Sequence, residues 1–129
     1  MILVDSSVFI ALADRRDQWH PAAKNLVPSI AEETIIVSNL IIAEAVTVVG
    51  RRSGGKAGER LFHYFSDNCE IIFADEKILN GSLPVFLRYD GTLSVSDAVS
   101  VHIMEIKHIE RILSFDSDFD KVDTITRVY

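Results

Sequence analysis

Four carboxylates spread over the whole chain interrupt stretches that are otherwise apolar or typical of helix starts: Asp5, Glu44, Asp97 and Asp116. Glu44 is the most unusual of them, because Thr47 is the only other polar side chain in residues 40–49. An ionised carboxylate on so apolar a helix is costly to bury unless a partner or a cation offsets its charge. If the four groups share one cleft they repel one another, and a divalent cation such as Mg²⁺ or Mn²⁺ offsets that repulsion. Such a site can activate water to cleave a phosphodiester without a protein nucleophile.

Each carboxylate also has an interpretation that involves no chemistry. Asp5 could cap the helix that follows it, and Asp97 fits the first turn of a helix capped by Ser94. Asp116 could simply open a polar turn at 116–118. Glu44 lies inside a helix, where capping does not explain it, and would need a buried salt bridge or a solvent-facing stripe. The combined pattern therefore favours one acidic metal site over four separate structural roles.

Alternating strand and helix patterns predict the fold that must position these groups. β-branched apolar runs predict strands at residues 2–4, 34–37, 70–73, 111–115 and 125–128. Helical spacing predicts helices at 7–13, about 20–31, about 40–50, 56–66, 76–88 and 95–106. We expect an α/β fold: a single three-layer domain over residues 1–129, with a mostly parallel sheet of about five strands and helices on both faces. Asp5 and Asp116 then follow strands at the carboxyl edge of that sheet.

Two helices carry more specific expectations. In the helix at 56–66, the spacing places Leu61, Phe62, Tyr64 and Phe65 on the inner side. The helix at 76–88 is expected to be disturbed, because Gly81 and Pro84 interrupt it.

Composition narrows the function classes. Thirteen basic residues against nineteen acidic ones give a net charge of −6, which argues against a general basic coat for nucleic acid. No apolar run approaches the ~20 residues of a membrane span, and the start of the chain lacks a signal-peptide pattern, so we expect a soluble, cytoplasmic protein. Cys69 is the only cysteine, which excludes an internal disulfide and a cysteine-based zinc site. The 48% hydrophobic content hints at an oligomer or partner surface.

Five short motifs occur in order along nearly the whole chain: Ile2-Leu3-Val4-Asp5-Ser6-Ser7, Trp19-His20-Pro21-Ala22-Ala23, Ile41-Ile42-Ala43-Glu44-Ala45, Ser94-Val95-Ser96-Asp97-Ala98 and Ile112-Leu113-Ser114-Phe115-Asp116-Ser117-Asp118-Phe119. In these motifs and their spacing the chain resembles PIN-domain ribonucleases, and within that group the VapC toxins of toxin–antitoxin pairs. Each motif is weak alone, but five in order are fairly specific.

The resemblance implies an activity and a set of partners. It implies endonucleolytic cleavage of RNA by activated water with Mg²⁺ or Mn²⁺, homodimerisation, and inhibition by an antitoxin peptide laid across the site. The acidic metal site carries over to the matching motif positions, which are Asp5, Glu44, Asp97 and Asp116. Further residues are expected to support these ligands: Asp118 and the hydroxyls of Ser6 and Ser96.

A group of basic residues flanks the turn at Gly54-Gly55: Arg51, Arg52, Lys56 and Arg60. They could bind a nucleic-acid backbone through its phosphates, or they could form an ordinary solvated helix end. His63, His102 and His108 show no ligand pattern, and we interpret them as structural or surface residues.

Other functions remain open at this point. A housekeeping PIN nuclease in RNA processing would share the chemistry. A phosphorylation-dependent receiver module would use Asp75 as its phosphoacceptor, although such modules usually have paired acidic residues after the first strand, where this chain has Asp5 and two serines. A haloacid-dehalogenase-type phosphatase is disfavoured, because the residue two beyond Asp5 is Ser7 and not aspartate.

Overall fold

A central sheet of five parallel strands organises the chain in the computed structural model, which describes residues 1–129. The strands are β1 (Ile2–Val4), β2 (Ile35–Ser38), β3 (Glu70–Ile72), β4 (Arg111–Leu113) and β5 (Thr126–Val128). Their order is β3-β2-β1-β4-β5, and each neighbouring pair is parallel. The strand order therefore reverses between β1 and β4, which is where sheets of this kind open a crevice for ligands. The predicted mostly parallel sheet of about five strands is confirmed.

Six helices accompany the sheet: α1 (Ser6–Ala13), α2 (His20–Leu26), α3 (Asn39–Ser53), α4 (Gly55–Asn68), α5 (Glu76–Arg88) and α6 (Val95–Lys107). They pack as two groups, with α3 against α1 and α4 in one, and α5 against α6 in the other. All three β1 side chains are at most 1% exposed. Since successive strand side chains point to opposite faces, both faces of the sheet are covered. None of the helices combines the length and the apolar character that crossing a membrane requires.

Side-chain caps fix the starts of three helices. Ser38 Oγ accepts a hydrogen bond from the Ile41 amide at 3.2 Å and begins α3. Ser94 Oγ accepts one from the Asp97 amide at 3.0 Å and begins α6. Asp75 does the same for α5. Each cap satisfies a backbone donor that the helix itself leaves unpaired, so the three helix starts are set by local sequence.

Two details of the predicted helices were wrong. The second helix ends at Leu26, and a 3₁₀ turn follows at Val27–Ile30, because Pro28 has no amide to continue the helical hydrogen bonds. Phe62 and Tyr64 are 50% and 40% exposed, and only Leu61 and Phe65 of the predicted inner residues are buried. Residues four apart share a helix face, whereas those between them flank it.

The expected disturbance of α5 does not occur, because the helix runs continuously from Glu76 to Arg88. Gly81 faces the His102 ring on α6, and a side chain at this position would overlap that ring. The glycine therefore permits the close packing of α5 on α6. Pro84 removes the donor for the Asn80 carbonyl, but both residues are exposed, so water can replace it.

We expect Gly81→Ala to destabilise the protein by about 1–3 kcal/mol, since the new methyl group displaces the His102 ring from between two helices. Gly50→Ala is the matched control, because nothing lies within 4 Å of that Cβ position in the interior of α3. It should stabilise the protein by roughly 0.5–1 kcal/mol. Urea unfolding measures both. Equal effects of the two substitutions, or no rescue of Gly81→Ala by His102→Ala, would contradict the packing argument.

Candidate metal centre

Asp97 is the point on which the acidic residues converge. It lies in the first turn of α6, half-buried, with its amide bonded to the Ser94 cap. Its pKa is raised to about 7, first by burial and then by the neighbouring charges of Asp5, Asp116 and Glu44, in that order of effect. Four carboxylates that are far apart in the sequence therefore lie close enough to act on one proton.

Asp5 is fixed by hydroxyl groups on either side of it. It follows β1, is 6% exposed, and its Oδ2 accepts hydrogen bonds from Ser7 Oγ at 2.8 Å and Ser114 Oγ at 2.9 Å. Each hydroxyl also accepts a backbone amide: Ser7 Oγ that of Phe115, and Ser114 Oγ that of Asp116. The Oδ1 atom has no hydrogen-bond partner. Because every fully buried side-chain oxygen has a partner, Oδ1 is accessible at the surface of the site. The carboxylate thus has one oxygen anchored and one free to bind a cation.

Asp116 and Asp118 complete the exit from β4. Asp116 Oδ1 accepts a hydrogen bond from the Asp118 amide at 2.9 Å, which opens the 3₁₀ turn. Carboxylate oxygens of Asp97, Asp116 and Asp118 all lie within 4.8 Å of one another. Lys121 forms an ion pair of 3.0 Å with Asp118 and offsets part of this negative charge. Asp118, expected only to support the ligands, thus offers a ligand atom of its own.

Glu44 is exposed on α3, whereas its apolar sequence neighbours predicted a buried side chain with a costly charge. The buried stripe of this helix is formed by Ile41, Ala45 and Val49, and Glu44 lies beside it. Its apolar sequence neighbours misled the prediction, because several of them are themselves only partly buried. Glu44 nevertheless acts on the pKa of Asp97, as the weakest of the three neighbouring carboxylates.

The hydrogen bonds to Asp5 come from serines other than the predicted Ser6 and Ser96. Neither Ser6 nor Ser96 donates a side-chain hydrogen bond to a carboxylate, whereas Ser7 and Ser114 both bond Asp5. Ser7 lies on the side of the first helical turn that faces β4, and Ser114 directly follows β4. The sequence offered one signal for Ser114: it lies at the end of a strand, as Asp5 does.

Of the four basic residues proposed to bind phosphate, one forms ion pairs within the protein and three do not. Arg52 is held by Asp17 at 2.9 Å and by Asp14 at 3.4 Å, so its guanidinium is already engaged and is a poor candidate for phosphate binding. Asp14, which is 6% exposed and also pairs with Arg16, was not anticipated. The remaining members are exposed and form no ion pair: Arg51, Lys56 and Arg60.

The residues at the acidic cluster fit a hard divalent cation. Carboxylate oxygens are the ligands that Mg²⁺ and Mn²⁺ prefer, and the three closest are near enough to share one ion with small side-chain adjustments. A cation would also relieve the repulsion that raises the pKa of Asp97. The histidines lie elsewhere: His102 packs on Gly81, His63 is exposed, and His108 ends α6. Asp75, the alternative phosphoacceptor, is an exposed helix cap.

Comparison with known proteins gives evidence of the family that does not depend on the geometry of the site. A protein-family model described as the PIN domain matches residues 2–125. The 23S rRNA-specific endonuclease VapC20 of Mycobacterium tuberculosis is 29% identical over 121 residues, which cover 92% of this chain and 92% of the relative. Its crystal structure, described as that of a sarcin–ricin loop cleaving toxin, superposes with a TM-score of 0.83 at 26% identity over 95% of both chains.

Two more distant structures share the fold. VapBC2 from Rickettsia felis, bound to a DNA fragment from its promoter, has a TM-score of 0.73 at 13% identity and covers 99% of this chain and 98% of that one. A toxin–antitoxin complex from Klebsiella pneumoniae has a TM-score of 0.73 at 15% identity and covers 98% of this chain and 96% of that one.

The pKa of Asp97 gives the stability a predictable pH dependence without metal. The native state keeps this proton up to about pH 7, whereas the unfolded chain releases it near 3.8, the ordinary pKa of an aspartate. Stability therefore falls as pH rises through this window. Asp97→Asn carries no ionisable proton, so its melting temperature should exceed that of the wild type by an amount that grows from pH 4 to 7 and then levels off. About 1 kcal/mol corresponds to roughly 4 °C here. A gap that is constant with pH would contradict the argument.

Metal binding should raise the melting temperature of the wild type. Mn²⁺ at about a hundred times its Kd adds about 2.7 kcal/mol, or roughly 10 °C, if it binds only the native state. Asp97→Asn should lose most of this shift, and the wild-type shift should be larger at pH 8 than at pH 6, since protons compete for the same oxygens. Asp67→Asn, at an exposed and unpaired position on α4, controls for net charge and should respond like the wild type.

Proposed function

Because the chain belongs to the PIN-domain family, we propose that it is a metal-dependent endoribonuclease, and that it serves as the toxin of a type II toxin–antitoxin pair. The observation that carries the proposal is the convergence of Asp5, Glu44 and Asp116 on Asp97. The carboxylates repel one another and lie where the strand order reverses. Such a cluster suits a cation that promotes cleavage of a phosphodiester.

The proposed substrate is supported by the mycobacterial relative, whose name describes it as specific for 23S rRNA. It is 29% identical to this chain over almost its full length. We therefore propose RNA as the substrate, with ribosomal RNA as the first to test. The acidic surface, with a net charge of −6, suits a protein that contacts few phosphates and does not coat nucleic acid nonspecifically.

Each acidic residue has a distinct part in the proposed site. Asp97, Asp116 and Asp5 would hold Mg²⁺ or Mn²⁺, with Glu44 at the solvent side. Asp118 would join them, because its carboxylate oxygen lies within 4.8 Å of those of Asp97 and Asp116. The cation would supply a Lewis acid that activates water and stabilises the charge developing on the phosphodiester. Ser7 and Ser114 hold Asp5 in a single orientation, so the ligand geometry exists before the substrate binds.

The proposed partners follow from the toxin role. We expect a cognate antitoxin that blocks the acidic cleft, action in the cytoplasm, and a homodimer. Support for the homodimer is a stripe of apolar side chains on α5, at helical spacing and 42–66% exposed, which comprises Leu79, Leu83 and Leu87. Exposed apolar patches of this kind mark surfaces that another chain covers.

Cleavage assays test the activity directly. Purified protein is incubated with total RNA and with ribosomes in Mn²⁺, Mg²⁺ or chelator, and cut sites are mapped by primer extension. We expect metal-dependent cuts at discrete positions. Asp97→Asn should slow cleavage by at least roughly a hundredfold, because it removes a charged ligand. Asp67→Asn should cleave like the wild type. Cleavage by Asp97→Asn at the wild-type rate would refute the proposed site.

Expression in growing cells separates a toxin from a housekeeping nuclease. A toxin should arrest growth when it is induced alone, and co-expression of a small neighbouring reading frame should restore growth. The Asp97→Asn variant should be harmless in the same assay. Normal growth with active enzyme present would leave the nuclease activity intact and exclude the toxin role.

A further inference from the structure

Trp19 forms an exposed aromatic platform beside the acidic cluster that neither the metal site nor its supporting residues account for. Its ring lies on that of Phe115, with centroids 5.2 Å apart and planes only 6° from parallel. Phe115 immediately precedes Asp116 in the chain, and adjacent Cα atoms are about 3.8 Å apart. The platform is therefore adjacent, along the chain, to one of the carboxylates of the candidate metal centre.

The geometry of this pair differs from that of the other aromatic pairs in the molecule. The remaining contacts are tilted or edge-on, with interplanar angles of 60–85°. A ring that served only the core would be buried, as Phe65 is, but Trp19 is 42% exposed although Phe115 covers one of its faces. A parallel pair of rings that stays partly exposed to solvent is a form in which proteins receive a flat aromatic ligand.

The platform is held rigidly by the same hydrogen bonds that fix the acidic site. The Phe115 amide donates to Ser7 Oγ at 3.1 Å, and Ser7 in turn donates to Asp5. On the other side, the Trp19 amide donates to Asp17 Oδ1 at 2.9 Å, and the Trp19 carbonyl accepts the Ala23 amide at 2.8 Å. Both rings therefore have fixed backbones before any ligand arrives, which lowers the entropy cost of binding.

Electrostatics favour a neutral contact at this place. Without a cation the cluster of carboxylates repels phosphate groups, and Arg127, which donates a hydrogen bond to the Ser114 carbonyl, is paired with Asp120 at 2.8 Å. Stacking on a nucleobase needs no free positive charge, and RNA-binding proteins use it for unpaired bases.

We propose that Trp19 stacks on an unpaired base of the RNA substrate next to the cleaved phosphate and so positions the strand over the acidic cluster. This inference rests on the proposed ribonuclease function for the identity of its ligand. Trp19 is then a substrate-positioning residue whose removal weakens RNA binding, while the metal site keeps its geometry.

Steady-state cleavage of the RNA that the wild type cuts tests the role. Trp19→Leu should raise KM about tenfold with little change in kcat, because it removes binding that the ground state and the transition state share. Trp19→Phe should restore most of the affinity, since it keeps a flat ring. Phe62→Leu, which removes a 50% exposed aromatic ring on α4, is the matched control and should behave like the wild type.

Intrinsic fluorescence gives a readout that a purely structural role would not move. Trp19 is the only tryptophan, so all tryptophan emission reports on this ring. In the Asp97→Asn variant, a single-stranded oligoribonucleotide of mixed sequence and the cleaved RNA should both quench the emission and shield it from acrylamide. The affinity lost in Trp19→Leu should be the same at low and high salt, because stacking releases no counterions.

The outcomes separate this proposal from the ribonuclease proposal. Unchanged emission at saturating RNA, or an unchanged KM in Trp19→Leu whose Mn²⁺ thermal shift shows an intact site, would overturn the stacking role even though cleavage stands. Quenching by the oligoribonucleotide without cleavage of any RNA would uphold the platform and refute the nuclease. Neither quenching nor cleavage would refute both.

Discussion

The repulsion among carboxylates around Asp97 is the constraint on which the rest of this structure depends. Like charges gather in one place only if something else holds them there, and here the packing of the buried central strands of the sheet does so. β1 and β4 are neighbours in register, with Val4 opposite Leu113, and the acidic groups leave from their carboxyl ends. The apolar core thus keeps the charges together without metal. The pKa of Asp97 is raised as a result, first by burial and then by the neighbouring carboxylates.

The fold could be predicted from sequence to a good approximation, because strand and helix periods differ and every strand contains β-branched apolar residues. The topology rules brought Asp5 and Asp116 to one edge of the sheet, but they did not predict that β1 pairs with β4. Helix interiors were harder, since the inner side of α4 depends on which residues meet a neighbour. Phe62 and Tyr64 have the composition of a core and lie at its border.

The site was predictable in its carboxylates and less so in the contacts that hold them. Ser7 and Ser114 are 107 positions apart, and nothing in their local sequence marks them as partners of the same Asp5 oxygen. The exposure of Glu44 was missed for a related reason, because apolar neighbours along a helix do not reveal what that face packs against. Residues linked only by tertiary structure escape any analysis of spacing.

The hydrogen bond from Ser114 to Asp5 joins residues 109 positions apart, and this separation matters while the chain is being synthesised. Synthesis proceeds from the N-terminus at about 5–20 residues per second, so Asp5 exists for many seconds before its partner. β4, which leads directly to Ser114, follows all six helices in the chain. A growing chain therefore cannot complete the acidic site until these helices and β4 have been made, and Asp5 lacks its Ser114 partner throughout that time.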